Sequence, residues 1–526
     1  VNELEIKNLL KETYRPFFGS FGRLTAIQVA LIPPLMEGKN AVGVSPAASG
    51  KTEAALAPVA ERALRVGRNP LSILYVAPTR ALINDVEKRA RMPLASLGLS
   101  LSVRTGDRPQ LRTADPENVL LTTPESLDSL LCRAPGIWRH TRAVILDEIH
   151  LVDGTYRGDQ LRVLLRRLER FHTESPVQYC ALSATISNPE EMGARYFPVA
   201  TVVRAGPVRE ISFQLFSHME EVIALLREKR YHKGLIFCNS RKEVEELALG
   251  LRNIWPQDRI VVHHGSLSRK ERESVEQTMH RWSWGLCICT MTMELGIDIG
   301  DIDAVVLYGP PPTPSAFLQR GGRGGRRRKE MTIIGCYRGS PAEKEQLETF
   351  WHFARTGLVE ETEYEPDISV CVQQVFSLLY GQPRGLSRQE MEELLFPLAE
   401  PNTLKTIVLH LMDRGFVEAS LGRYRATTRL MNMGYRGLIH SNIPQTRDFR
   451  IVDADTGGAI GELSTDASLG ARFVLAGRVW EVVEVKARQK QLVVRQVGPL
   501  DSDTRFGRRS SRGAFSGYLP KELRSR

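Results

Sequence analysis

The chain has 526 residues, 42% hydrophobic and 25% charged, which suits several packed domains and excludes a small disulfide scaffold or a disordered polymer. Its 71 Lys and Arg against 61 Asp and Glu leave a formal charge of +10, pointing to phosphate in nucleic acid or on a membrane surface, or to a basic surface kept for solubility. Seven cysteines (Cys132, Cys180, Cys238, Cys287, Cys289, Cys336, Cys371) lie scattered in apolar stretches, draw no disulfide framework or metal knuckle, and read as reduced core residues. The start, Val1-Asn2-Glu3-Leu4-Glu5, lacks a signal-peptide layout, and no apolar run reaches the roughly 18 residues of a membrane span, so cytoplasm or nucleoid is expected, with no membrane partner.

In chain order, the apolar runs 41–44, 72–77, 119–122, 143–146 and 178–182 each precede an amphipathic stretch, the pattern of a parallel sheet with crossover helices over residues 1–205. After Ala205-Gly206-Pro207 the alternation restarts at 234–238, 260–263, 286–290, 304–308 and 331–336, predicting a second α/β lobe over 206–360. Helices at 368–380, 387–395 and 402–414, followed by short strands around Gly422, predict a winged helix over 361–435, whose third helix presents Lys405, His410 and Arg414 to a duplex, or a plain helical packing domain. From 436 to 526 strand and turn patterns return, predicting a small antiparallel barrel that ends in a basic tail.

Three segments carry phosphate chemistry. Ser45 to Thr52 (S-P-A-A-S-G-K-T) follows a strand and opens a helix, so its backbone N–H groups and the helix dipole surround a phosphate chain. There Ser49 and Gly50 line the loop, Lys51 reaches the β and γ phosphates, and Thr52 ligates Mg²⁺. Ala47 and Ala48 stand where such loops often carry Thr-Gly. Asp147-Glu148-Ile149-His150 follows the strand 143–146, which suits Asp147 to Mg²⁺ and Glu148 to the attacking water. In Gln319 to Arg326, Arg323 and Arg326 are three apart and share a face if helical, so both can meet charge on the γ phosphate; a basic disordered segment is the alternative.

With these motifs in this order the chain resembles superfamily 2 helicases of the DExH kind over residues 20–335, and Thr122 to Ser126 (T-T-P-E-S), His263 to Ser268 (H-H-G-S-L-S), Glu294 to Asp298 (E-L-G-I-D) and Leu318 to Arg323 are most similar to the Lhr (large helicase-related) group. The resemblance implies two tandem RecA-like parallel-sheet lobes, then a winged helix and a small antiparallel β-barrel-like module. It implies ATP as the fuel, Mg²⁺ as the cofactor and 3′ to 5′ movement on single-stranded DNA or tailed duplexes in repair or genome maintenance. Residue by residue, Gln28 matches the adenine reader, with Phe18 or Phe21 to stack on the base, and Gly296 and Asp298 in Thr290 to Asp298 match nucleotide contacts. Gln319 matches the catalytic segment, and Ser183, Thr185 and His150 match residues that couple hydrolysis to movement. Thr79, Arg80, Thr123, Ser240, Arg241, His264, Gly265, Ser266 and Thr290 match strand-contacting positions; a Ser or Thr there is equally a helix cap. Pro78-Thr79-Arg80-Ala81 is closer to RNA-helicase forms, so RNA or an RNA–DNA hybrid stays open as the strand, as does a nucleotide-gated clamp within a larger complex. Trp480 is expected in a core, whereas Phe506, Phe515 and Tyr518 are free to stack on bases. The charge gathers in two places: six basic residues without an acid at 320–329, and seven against Glu522 after Thr504.

Overall fold

A computed structural model describes residues 2–46, 49–111, 113–171, 176–184, 188–199, 201–205, 210–293, 301–325, 330–356, 364–443, 448–464, 469–470, 472–475, 478–486, 489–497 and 513–524. The four segments expected in line along the chain group into two units. One joins 1–206, 362–444 and 511–526; the other joins 207–361 and 445–510.

In the first unit β1 (Ala41–Val44), β2 (Ile73–Val76), β3 (Leu101–Arg104), β4 (Val119–Thr122), β5 (Ala143–Leu146), β6 (Gln178–Ser183) and β7 (Thr201–Arg204) form a parallel sheet in the order 3-4-2-5-6-1-7. Strands β1, β2, β4, β5 and β6 are buried along their whole length, as central strands covered on both faces must be. The register pairs Val44 with Ser183, Leu146 with Ala181 and Val76 with Leu146. The segments that follow β1, β2, β5 and β6 therefore leave the sheet along one carboxyl edge, where ligands of such sheets bind.

The winged helix packs on this lobe. Its helices Ser369–Gly381, Arg388–Leu395 and Pro401–Asp413 alternate with β14 (Leu386–Ser387) and the hairpin β15 (Val417–Ser420)–β16 (Arg423–Ala426). The expected free tail is corrected over 513–524. Phe515 and Leu519 are buried and Tyr518 is partly buried against Phe376 and Phe416, because the segment completes the winged-helix core. Phe515 and Tyr518 thus spend their rings on packing, and Phe506 lies outside the described residues. Arg414, expected on a duplex, instead donates to the Gly517 carbonyl at 3.2 Å and lies over the Phe416 and Tyr518 rings.

The second unit holds β8 (Glu210–Phe216), β9 (Lys233–Phe237), β10 (Ile260–His263), β11 (Gly285–Cys289), β12 (Ala304–Tyr308) and β13 (Glu330–Cys336), parallel in the order 10-11-9-12-13-8. Its C-terminal module is a five-stranded sheet of β17 (Asp448–Asp453), β18 (Ala459–Ser464), β19 (Arg472–Leu475), β20 (Arg478–Lys486) and β21 (Gln491–Gln496), ordered 18-17-21-20-19. Three pairings are antiparallel as expected and one, β17 with β21, is parallel. The module shares one core with the lobe, since Ile451, Phe473, Trp480 and Leu492 cluster with Leu247, Trp255 and Leu267. Trp480 is buried and its Nε1 donates to the Leu475 carbonyl at 2.8 Å, so it packs rather than stacks on bases. All seven cysteines are buried and unbridged. No helix of the described residues is long and apolar enough to cross a membrane.

Candidate nucleotide and nucleic-acid sites

The helix Lys51–Val66 begins directly after the loop that leaves β1. Its N-cap, Gly50, is left-handed at φ 84° and makes no side-chain cap, so the first N–H groups are not spent on one. The buried Ser45 and Ser49 hydroxyls have no hydrogen-bond partner among the described residues. Orphaned hydroxyls and an uncapped positive helix end are what a phosphate chain requires. Lys51 is buried, donates to the carbonyls of Ser45 (2.7 Å) and Pro46 (3.1 Å), and stands 3.9 Å from Glu148 Oε1.

Asp147 and Glu148 leave β5 beside this loop. The Asp147 carboxylate is buried; it accepts from the Tyr75 hydroxyl at 2.6 Å through Oδ2 and from the Glu148 N–H at 3.0 Å through Oδ1. Burial and then the neighbouring Glu148 charge push its pKa up to about 6. Thr52, the second residue of the helix Lys51–Val66, is buried beside the same loop. Asp147, Thr52 and the open loop therefore fit a hydrated Mg²⁺. Glu148 is left-handed (φ 43°, ψ 45°), a conformation that costs a side-chain-bearing residue roughly 1–2 kcal/mol and marks functional sites. His150 Nδ1 accepts the Ala184 N–H at 3.2 Å and contacts Ser183 Oγ at 3.1 Å. An N–H can only donate, so the neutral ring carries its hydrogen on Nε2, and His150 ties the acidic pair to the end of β6.

Gln28 completes this edge. Its Oε1 accepts from Thr25 N–H at 2.9 Å, capping the helix Ala26–Met36, and its Nε2 donates to the Gly50 carbonyl at 3.4 Å. Phe18 is 1% exposed and packed between Tyr14 and Phe17, whereas Phe21 is 60% exposed and keeps a face for a base. A Cβ on Gly50 would sit 2.4 Å from Gln28 Nε2 at a φ that side chains avoid. Gly50→Ala is expected to strain the loop by about 1–2 kcal/mol, so nucleotide affinity, measured by fluorescence titration, should fall roughly tenfold.

In the second unit Gln319 and Arg320 lie on the helix Pro314–Gly321, which stops at the glycines, so Arg323 lies past its end. Arg320 donates to Asn239 Oδ1 at 2.9 Å, and Arg323 is 3% exposed. Arg326, Gly296, Asp298, Thr185, Ala47 and Ala48 lie outside the described residues.

The expected strand contacts sit at carboxyl ends of strands. Thr79 caps the helix Arg80–Ser96, and Arg80 pairs with Asp107. Ser240 and Glu243 form a capping box, and Arg241 donates to Ser266 Oγ at 2.8 Å. Gly265 is exposed, and Thr290 donates its N–H to the His263 carbonyl at 3.1 Å. Two positions are corrected. His264 is 1% exposed because its Nε2 meets the buried Glu245 carboxylate at 2.8 Å, and Thr123 is buried with its hydroxyl 3.4 Å from Ser126 Oγ.

Sequence reasoning missed Tyr75. The available signal is a phenol in an otherwise aliphatic buried strand, where its hydroxyl must find a partner. It also missed a buried cluster beneath the winged helix. Arg167 donates to Asp128 (2.6 Å) and Cys132 Sγ (3.1 Å), and His440 Nδ1 meets Asp128 Oδ2 at 2.8 Å. Asp128, Cys132 and His440 are close enough to hold a cation, but the guanidinium already supplies the positive charge there.

Both parallel-sheet lobes match models of helicase domains. Residues 25–192 match the DEAD/DEAH box helicase model and 217–328 the helicase conserved C-terminal domain. The chain thus carries a DEAD/DEAH box and a helicase C-terminal domain and is similar to the Lhr group of helicases. It is 31% identical over 376 residues to the ATP-dependent helicase Lhr-Core of Sulfolobus acidocaldarius, covering 62% of this chain and 41% of that one. To its Methanocaldococcus jannaschii counterpart it is 33% identical over 373 residues, covering 63% and 43%. The chain thus spans about two fifths of these curated relatives. In fold it matches the Mycobacterium smegmatis helicase Lhr bound to single-stranded DNA and AMP-PNP (TM-score 0.69, 24% identity, 82% of this chain, 62% of that one). It also matches the helicase MrfA bound to DNA (TM-score 0.75, 22% identity, 95% and 74%).

Proposed function

We propose that the chain is an ATP-driven helicase or translocase that moves 3′ to 5′ along single-stranded DNA, within cytoplasm and nucleoid, in repair or genome maintenance. One observation carries the ATP reading: Lys51, Thr52, Asp147 and Glu148 converge at one sheet edge around an uncapped helix N-terminus. Lys51 and the loop N–H groups hold the phosphates, Gln28 and Phe21 the base, and Glu148 orients the attacking water and takes its proton. Thr52 and Asp147 hold Mg²⁺, which when bound neutralises phosphate charge. By the resemblance, Arg323 and Arg326 are assigned to charge on the γ phosphate, and His150, Ser183 and Thr185 to coupling hydrolysis to movement. Gln319, Gly296 and Asp298 serve the same nucleotide.

Thr79, Arg80, Ser240, Arg241, Gly265, Ser266 and Thr290 grip the strand backbone, a mode without sequence readout and with strong salt dependence. The DNA reading draws support from the single-stranded DNA in the Lhr structure, whereas Pro78-Thr79-Arg80-Ala81 favours an RNA reading with the same catalytic residues. Strand displacement on 3′- and 5′-tailed DNA and RNA duplexes tests both. Unwinding of 3′-tailed DNA is expected; ATPase stimulation by RNA alone would overturn the DNA assignment.

A further inference from the structure

Strand β2 is Ile73-Leu74-Tyr75-Val76, and three of its four side chains are aliphatic. Phe would fill the Tyr75 position equally well, so the hydroxyl is what tyrosine adds. That hydroxyl has no access to water, since Tyr75 is fully buried. It donates its one hydrogen to Asp147 Oδ2 at 2.6 Å. One phenol on a rigid central strand therefore ties down a carboxylate 72 positions away in the chain, at β5's exit. A second tie runs alongside: Arg89, on the helix that follows β2, pairs with Glu53 at 3.0 Å, and its charge reaches Tyr75 and Asp147.

We propose that Tyr75 is a positioning residue that presets the Asp147 carboxylate for a divalent cation. The inference rests on the ATP reading above. Outer partners that orient ligands are worth a factor of about 10–100 in metal affinity. Asp147 keeps a second lone pair on each oxygen after accepting from Tyr75 and Glu148, so the hydrogen bond fixes the carboxylate plane without consuming its ligating capacity.

The test compares the full chain with Tyr75→Phe, using a fluorescent N-methylanthraniloyl ADP titrated in EDTA and across Mg²⁺ concentrations. The half-saturating Mg²⁺ is expected to rise about tenfold in the variant, with affinity in EDTA unchanged. An unchanged half-saturating Mg²⁺ overturns the proposal. Equal losses of nucleotide affinity with and without Mg²⁺ also overturn it, because they mark a merely structural role. If the wild-type chain itself gains no affinity from Mg²⁺, the ATP-site reading fails instead.

Discussion

Glu148→Gln is expected to reduce ATP turnover by about 100- to 10,000-fold, the usual range for a lost general base, while ATP binding is retained. The amide is nearly isosteric with the carboxylate. It keeps the approaches to Lys51 at 3.9 Å and His150 at 3.5 Å but cannot take a proton from water at neutral pH. The left-handed backbone at Glu148 aims that side chain, and glutamine tolerates the conformation as poorly as glutamate, so the loop should be unchanged. Single-turnover hydrolysis beside equilibrium nucleotide binding separates chemistry from affinity. Turnover surviving within tenfold of the wild type would place the base elsewhere.

The second large effect concerns stability. Asp128→Ala is expected to destabilise the unit that holds the winged helix by about 3–5 kcal/mol, because it strands two buried cations, Arg167 and His440, without their anion. On a unit of this size that is a fall in Tm on the order of 10 °C by calorimetry. The same cluster gives the wild type a pH profile. Burial alone would lower the His440 pKa, but hydrogen bonding of the imidazolium to Asp128 and Cys132 outweighs it and pushes the imidazole up to about 9. Burial would raise Asp128, but the Arg167 charge, His440 and Ser377 outweigh it and hold the carboxyl below its usual range. A raised histidine stabilises fully below its unfolded pKa near 6.5 and loses that contribution as pH climbs through about 9. A depressed aspartate stabilises above its unfolded value near 3.8 and loses that contribution as pH falls through its folded value. The cluster therefore stabilises most between about pH 4 and 6.5, and Asp128→Ala should flatten the dependence of Tm on pH. A variant with wild-type slope would assign that dependence to other groups.

What was legible in the sequence follows from burial. Central strands such as β1, β4 and β5 are unbroken apolar runs and announce themselves. The strands of the two lobes that were missed, β3, β7 and β8, are all sheet edges, where polar residues such as Ser102, Thr201 and Gln214 weaken the apolar pattern. The phosphate loop and the acidic pair were legible because each is a contiguous segment with its own chemistry. Tyr75 with Asp147, and Asp128 with His440, were not: these pairs are 72 and 312 positions apart, and only the folded chain shows that they meet. The helix that carries Gln319 and Arg320 ends at Gly321, before Arg323, because glycine is a poor helix former.

The grouping of the chain into interleaved units also sets an order of assembly on the ribosome. The winged-helix core needs Phe515 and Leu519, which emerge only after the β-module at 448–497, and that module in turn closes the core of a lobe finished more than a hundred residues earlier. Each lobe's own sheet can form as it is made, but the apolar faces awaiting these later segments must stay covered or chaperoned until then. Premature release of a nascent chain stopped near residue 445 should therefore yield aggregation rather than a working fragment.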